Sequence, residues 1–339
     1  MRLQELYLIA KKLNAKKISN ALKVVVSFYA ARHSKKEAIW GMPISLNVEP
    51  TTHCNLRCPE CPSGLRSFSR PTGMLEEKMF QNIIDQVKDK LIYLTFYFQG
   101  EPFLNPRFPN MVRYASDRGI FTFTSTNAHF IDEENAVKII QSGLDKLIIS
   151  MDGTTQEVFE KYRVGGQLEK VLEGTRNMVR LKKKLKSKTP YLVIQFLVVR
   201  HNEHQVEEAR KLTKELGVDE IKFKTAQIEN FQLGNDLIPH NQKYSRYQKK
   251  KDGQYQIKNS LLNRCWKLWS GSVMTWDGKI LPCCFDKDAK YDFGNIQSEP
   301  FKEIWKGENY QKFRQQLLKS RSSIDICTNC SEGTKVWSD

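Results

Sequence analysis

Pro43-Ile44-Ser45-Leu46-Asn47-Val48-Glu49 runs directly into Pro50-Thr51-Thr52-His53-Cys54-Asn55-Leu56-Arg57-Cys58-Pro59-Glu60-Cys61-Pro62. The first seven residues read as a short buried β-strand. The continuation, punctuated by prolines, is a loop at the strand's C-terminal end, and it carries three thiols at C-x3-C-x2-C spacing. Thiolates are soft ligands that suit iron–sulfur clusters and zinc. A full [4Fe–4S] site takes four cysteines, so three in one loop leave one iron without a protein ligand. A closed zinc site needs a fourth ligand nearby; His53 is the local candidate, and its place before the run suits that role poorly.

The opening strand is the first of a series. Residues 76–90 read as a helix, 91–98 (LIYLTFYF) as a strand, 107–118 as a helix and 120–125 as a strand. A helix over 132–142 ends at Gly143, a residue suited to the left-handed C-cap. Then come a strand over 146–151, a helix over 167–184, a strand over 191–199, a helix over 203–216 ended by Gly217, and a sixth strand over 220–224. Near-continuous apolar strands alternating with helices predict an α/β chain whose parallel sheet is covered on both faces. Six such units fit a partial (β/α)6 TIM-like barrel better than an open sheet. Chemistry in a barrel collects at the C-terminal strand ends, where the isolated polar residues of this chain fall. Residues 231–260, rich in Asn, Gln, Tyr and Lys, break the rhythm as a linker or a substrate-facing excursion. The expected division is a basic amphipathic N-terminal segment over 1–42, the barrel over 43–230, the linker over 231–260 and a small cysteine-rich iron–sulfur domain over 261–339.

Composition narrows the classes. At 339 residues and a mean hydropathy of −0.54, the chain is long enough to bury about three quarters of its unfolded surface. No run of 18 apolar residues is present. The stretch Leu22–Ala30 is short, lies between lysines and has no cleavage site after it, so a signal peptide is not expected and a cytoplasmic location is. Eight cysteines in a reducing compartment point away from disulfides. They form two groups, at 54, 58 and 61 and at 265, 283, 284, 327 and 330, which predicts two metal sites. A net charge of +16 suits nucleic acid, anionic lipid, an acidic substrate or a solvated lysine-rich surface. Residues 1–36 hold nine Lys or Arg against one acid, Glu5. Apolar residues recur there at helical spacing, with Leu3, Leu6, Tyr7, Ala10 and Leu13 followed by Ile18, Leu22, Val25 and Tyr29. Such a segment can lie peripherally on the inner membrane surface, where each basic residue is worth roughly 1 kcal/mol. Alternatively its apolar stripe packs on the main domain, and packing is the expected arrangement.

The strand followed by C-x3-C-x2-C resembles the radical S-adenosylmethionine superfamily, over about residues 44–332. That resemblance implies a [4Fe–4S] cluster on Cys54, Cys58 and Cys61 whose open iron chelates S-adenosylmethionine. It also implies reductive cleavage to a 5′-deoxyadenosyl radical that takes a hydrogen atom from substrate, with electrons from a donor of flavodoxin or ferredoxin type. Gln99-Gly100-Glu101-Pro102 after the second strand is similar to the family's GGEP motif, with Gln in its first place. It implies contacts from Gln99 and Gly100 and a Glu101 carboxylate accepting from the ligand's ammonium. Ser125 and Asn127 after strand three, and Ser150 and Asp152 after strand four, match positions that bind ribose or methionine. Arg163 matches an arginine that meets the methionine carboxylate, and Asn202 a polar contact to the nucleoside. Glu60, before the third cysteine, stands where the family often places an aromatic residue near adenine.

Cys265-x12-Gly278-x4-Cys283, with Cys327-x2-Cys330 after it, resembles a shortened SPASM (twitch-like) domain. It implies an auxiliary [4Fe–4S] cluster on Cys265, Cys283, Cys327 and Cys330. Cys284 is then the extra thiol, inert or a hydrogen donor to a substrate radical, and spacing alone does not settle whether Cys283 or Cys284 is the ligand. A four-cysteine zinc module is the alternative. For function, oxidation or epimerisation of a small molecule or sugar stands first and a radical peptide-modifying maturase second. A zinc-binding nucleic-acid protein stands third, and nucleic acid is not the expected partner. Gln195, Lys222, Lys224, Thr225 and Gln227 are candidates to face substrate hydroxyls or phosphates.

Overall fold

The computed structural model describes residues 3–332. Arg2 of the basic segment and the tail 333–339 lie outside it. Two helices come first, α1 (Leu3–Ala10) and α2 (Ala15–Ser34), the second capped by the Asn14 side chain, which accepts from Lys17 N. The β/α series follows: β1 (Ser45–Val48), α3 (Pro62–Leu65), α4 (Glu77–Val87), β2 (Tyr93–Thr95), α5 (Phe108–Asp117), β3 (Phe121–Thr126), α6 (Glu133–Gln141) and β4 (Lys146–Ser150). It continues through α7 (Gln156–Tyr162), α8 (Leu168–Lys184), β5 (Tyr191–Val198), α9 (Val206–Glu215) and β6 (Glu220–Thr225). The polar stretch beyond forms a hairpin of β7 (Tyr247–Lys249) and β8 (Tyr255–Ile257). The cysteine-rich segment supplies α10 (Lys267–Ser270), β9 (Gly271–Met274), β10 (Ile280–Leu281), α11 (Phe301–Lys306) and α12 (Glu308–Ser320).

β1 to β6 pair in sequence order and all in parallel, as a partial barrel requires. β4 is buried along its whole length, which is why it reads as an unbroken apolar run. The barrel is open: its edges are β6 and β10, because the C-terminal segment extends the sheet. β9 pairs in parallel with β1, matching Ser45 to Gly271 and Val48 to Met274, and β10 returns antiparallel on β9.

α1 stoppers the N-terminal end of the barrel. Leu8 and Ile9 pack on Ile92, Tyr93, Phe121 and Phe123, and Leu8 also meets Ile148, Tyr191 and Val193. Glu5 pairs with Lys146 at 2.6 Å on that floor, and Lys12 pairs with Asp145. α2 packs on the body as expected, but not through the stripe the periodicity marks. It buries Lys17, Asn20, Val24, Ser27 and Ala31. The Lys17 ammonium donates to Gly119 O, and the Asn20 amide brackets the Met42 backbone. Among the described residues no helix is long and apolar enough to cross a membrane.

Candidate active site

The loop after β1 is held from outside. Arg70 grips the buried Glu49 carboxylate with two nitrogens, at 2.6 and 2.9 Å. The Asn105 amide donates to Pro50 O and Leu75 O. Thr51 and Thr52 both bind the Gly73 backbone. The Gln99–Pro102 turn lies against this loop: Ser63 Oγ accepts from Gly100 N at 2.9 Å and His53 O from Glu101 N at 2.8 Å. Gly100 has φ +73°, and a Cβ there would stand 2.1 Å from Thr51 O, so only glycine fits. The two sequence motifs are therefore one packed unit.

A different β/α segment addresses each cysteine. Gln99 Oε1, after β2, is 3.9 Å from Cys61 Sγ. Asn127 Nδ2, after β3, is 3.9 Å from Cys54 Sγ and donates to Asn55 Oδ1 at 2.8 Å. Arg163 Nη1, after α7, is 3.8 Å from Cys58 Sγ. Burial pushes the Cys54 thiol up to about 12 and raises Cys58 as well, so ionising these sulfurs calls for cationic charge beyond Arg163. Bound iron would supply it, since a coordinating thiol is deprotonated outright. The donor set fits a cluster. Among the described residues no three His, Cys, Asp or Glu side chains converge at single-ion spacing; cysteines serving separate irons of one cubane need not.

Around this loop the structure also gathers Glu101, Ser125, Ser150 and Asp152. Glu101 is fully buried and accepts from Thr126 Oγ1 (2.7 Å), Asn127 N (2.8 Å) and Phe103 N (3.3 Å), while burial raises its pKa to about 7. Those partners already engage its carboxylate, so it fixes the Asn127 turn. Ser125 and Ser150 Oγ lie 3.4 Å apart on adjacent strands. Asp152, without exposure, accepts from Arg163 Nε and Leu197 N, both at 2.6 Å. Asn202 requires a correction. Its side chain is buried and saturated by backbone, accepting from Val199 N and donating to Asp152 O and Leu197 O, which leaves nothing for a nucleoside. Glu60 is turned to the segment after β6 and accepts from Glu229 N at 2.9 Å.

The second cysteine group also converges. Cys330 opposes the ionisation of Cys265, Cys283 and Cys327, and Cys265 opposes that of Cys283. Burial pushes Cys265 up to about 12 and Cys327 to about 11. Arg321, itself buried, donates to Cys330 Sγ at 3.3 Å and stands near Cys265 and Cys327. Sequence reasoning missed it; its place six residues before Cys327 was the available signal. Cys284, next to Cys283 and opposing its ionisation, packs with Phe98, Val273 and Leu281. Tyr97, Lys224 and Lys267 lie near enough to feel its charge. Phe223 packs outward against Phe196 and Val206, so strand alternation puts Lys222 and Lys224 inside the barrel. Lys222 pairs with Glu220. Among the described residues Lys224 has no ion pair; its side chain keeps solvent exposure in the open lumen, while partial desolvation, then Lys267 and Lys222, hold its pKa below the ordinary value.

Comparison with known proteins agrees with this arrangement. The model of the radical SAM superfamily matches residues 48–221, and that of SPASM, an iron-sulfur cluster-binding domain, matches 265–331. The tungsten-containing aldehyde ferredoxin oxidoreductase cofactor-modifying protein of Pyrococcus furiosus is 26% identical over 329 residues, covering 84% of this chain and 86% of the relative. The AdoMet-dependent heme synthase of Methanosarcina barkeri is 25% identical over 335 residues, covering 86% and 92%. Among solved structures, Streptococcus suis SuiB bound to S-adenosylmethionine superposes with a TM-score of 0.65 at 14% identity, covering 94% of this chain and 77% of that one.

Proposed function

The chain belongs to the radical SAM superfamily, and from that premise we propose that it oxidises or epimerises a small anionic molecule, such as a sugar derivative, held inside the barrel. A bound [4Fe–4S] cluster with S-adenosylmethionine supplies one-electron chemistry, in which a 5′-deoxyadenosyl radical takes a hydrogen atom from substrate. Cys54, Cys58 and Cys61 would hold that cluster, and Cys265, Cys283, Cys327 and Cys330 the auxiliary one. Asn127 and Arg163 orient the first loop, with Glu101 and Asp152 as their positioning residues. Ser125, Ser150 and Gln195 line the barrel as neutral partners for hydroxyl groups. An external one-electron donor completes the requirements.

The observation that carries the substrate reading is Lys224, an inward-facing lysine that stays exposed in the open lumen, has no ion pair among the described residues and lies within electrostatic reach of Cys284. An unpaired cation lining the lumen favours an anionic group. A thiol facing the same space can return a hydrogen atom, giving epimerisation; without that return, loss of one further electron, which the auxiliary cluster would accept, and of a proton gives oxidation.

The test is anaerobic. Reconstituted protein should hold about eight irons per chain, as two cubanes require, and release 5′-deoxyadenosine with dithionite. Cys58→Ala should abolish release. Anionic sugars should stimulate release, and Lys224→Met should raise their KM about tenfold while sparing neutral analogues. Cys284→Ala should stop epimerisation while nucleoside release persists; unchanged product would remove the hydrogen-donor role. Colourless protein rich in zinc would overturn the whole reading.

A further inference from the structure

We infer that α1 and α2 form a docking face for an anionic lipid bilayer. α2 packs through small and hydrogen-bonded residues, so its apolar stripe at i, i+4, i+7 and i+11 points to solvent. Ile18 is 47% exposed, Leu22 59% and Tyr29 58%, with Val25 and Val26 beside them. Trp40, 53% exposed, stands with Leu22 and Val26 along one shallow groove. Leu3, Leu6 and Tyr7 of α1 are exposed too. Ile18, Leu22, Val26 and Trp40 line one continuous apolar groove, and such a surface marks an interaction site.

Charge selects the occupant. Glu5, the one acid in residues 1–36, is withdrawn into its pair with Lys146. Lys12 and Lys17 also turn inward, and Lys16 shares Asp89. Lys11, Lys23, Arg32, Lys35 and Lys36 remain exposed around the apolar stripe. Protein interfaces are depleted of lysine, whereas an apolar helix face framed by lysine and arginine fits the headgroup region of an anionic leaflet. Tyr29 and Trp40 are the amphipathic rings that settle at that depth. The face is independent of which substrate the barrel takes.

Co-sedimentation of the full-length, cluster-loaded protein with lipid vesicles tests the inference. It should pellet with vesicles of phosphatidylcholine and phosphatidylglycerol, much less with phosphatidylcholine alone, and detach as salt rises. Paired Leu22→Glu and Val26→Glu changes should abolish binding. Paired Lys23→Glu and Lys35→Glu changes should weaken it by tenfold or more. Both variants should keep the wild-type circular dichroism spectrum and rate of 5′-deoxyadenosine release. Failure of the wild-type protein to bind anionic vesicles would overturn the inference. So would a dimer in light scattering that Leu22→Glu dissolves, which would assign the face to a second copy of the chain.

Discussion

Asp152 and Arg163 show how residues near the cysteines constrain one another. The Asp152 side chain is fully buried and that of Arg163 mostly so, and the aspartate's second oxygen holds the Leu197 backbone. Removing one partner of a buried pair leaves the other uncompensated. Arg163→Met should therefore cost about 3–5 kcal/mol in urea unfolding of the apo protein. A loss below about 1 kcal/mol, the scale of a solvated pair, would contradict the buried pairing. Legibility at this scale was uneven. The cysteines were plain because three thiols in eight residues have few alternative readings. Asn202 misled because asparagine after a strand serves its own backbone as readily as a ligand. Lys224 was a substrate-facing candidate from its place on the sixth strand, whereas Arg321 was missed because a single cation in a basic chain carries little signal beyond its distance from Cys327 until the fold gives it neighbours.

Most of the β/α series was legible because apolar strands and capped helices agree at each step, as where Asp132 caps α6 by accepting from Asn135 N. α7 was missed because its seven residues are too few for a period. The β7–β8 hairpin was missed because polar residues dominate it. α2 was read with its faces reversed, since periodicity finds a stripe without saying which way it points. Its buried Lys17 makes this arrangement testable. Burial lowers that ammonium to about 8 from 10.5. Between those values the unfolded chain keeps a proton that the folded chain has released, so stability rises with pH across the window. Thermal melts of the wild type should gain on those of Lys17→Met from pH 8 to about 10.5. Parallel curves for the two proteins would place the ammonium in water.

For the whole molecule, the sequence suggested separate parts, whereas the sheet runs on through β9 and β10. The β1–β9 pairing was hidden because parallel partners far apart in sequence leave no local trace. One hydrophobic core includes Val48, Leu94 and Ile149 of the barrel together with Trp269, Trp305 and Leu317 of the C-terminal segment. Calorimetry should therefore show one transition whose measured and van't Hoff enthalpies agree; two resolved transitions would refute a shared core. Removing residues 261–339 should leave β1 as a bare edge and the remainder prone to aggregate. The stopper formed by α1 has a consequence for traffic. A vessel sealed at its base fills from above or from the side, so whatever reaches Lys224 enters by the mouth that carries Cys54, Cys58 and Cys61 or through the gap between β6 and β10.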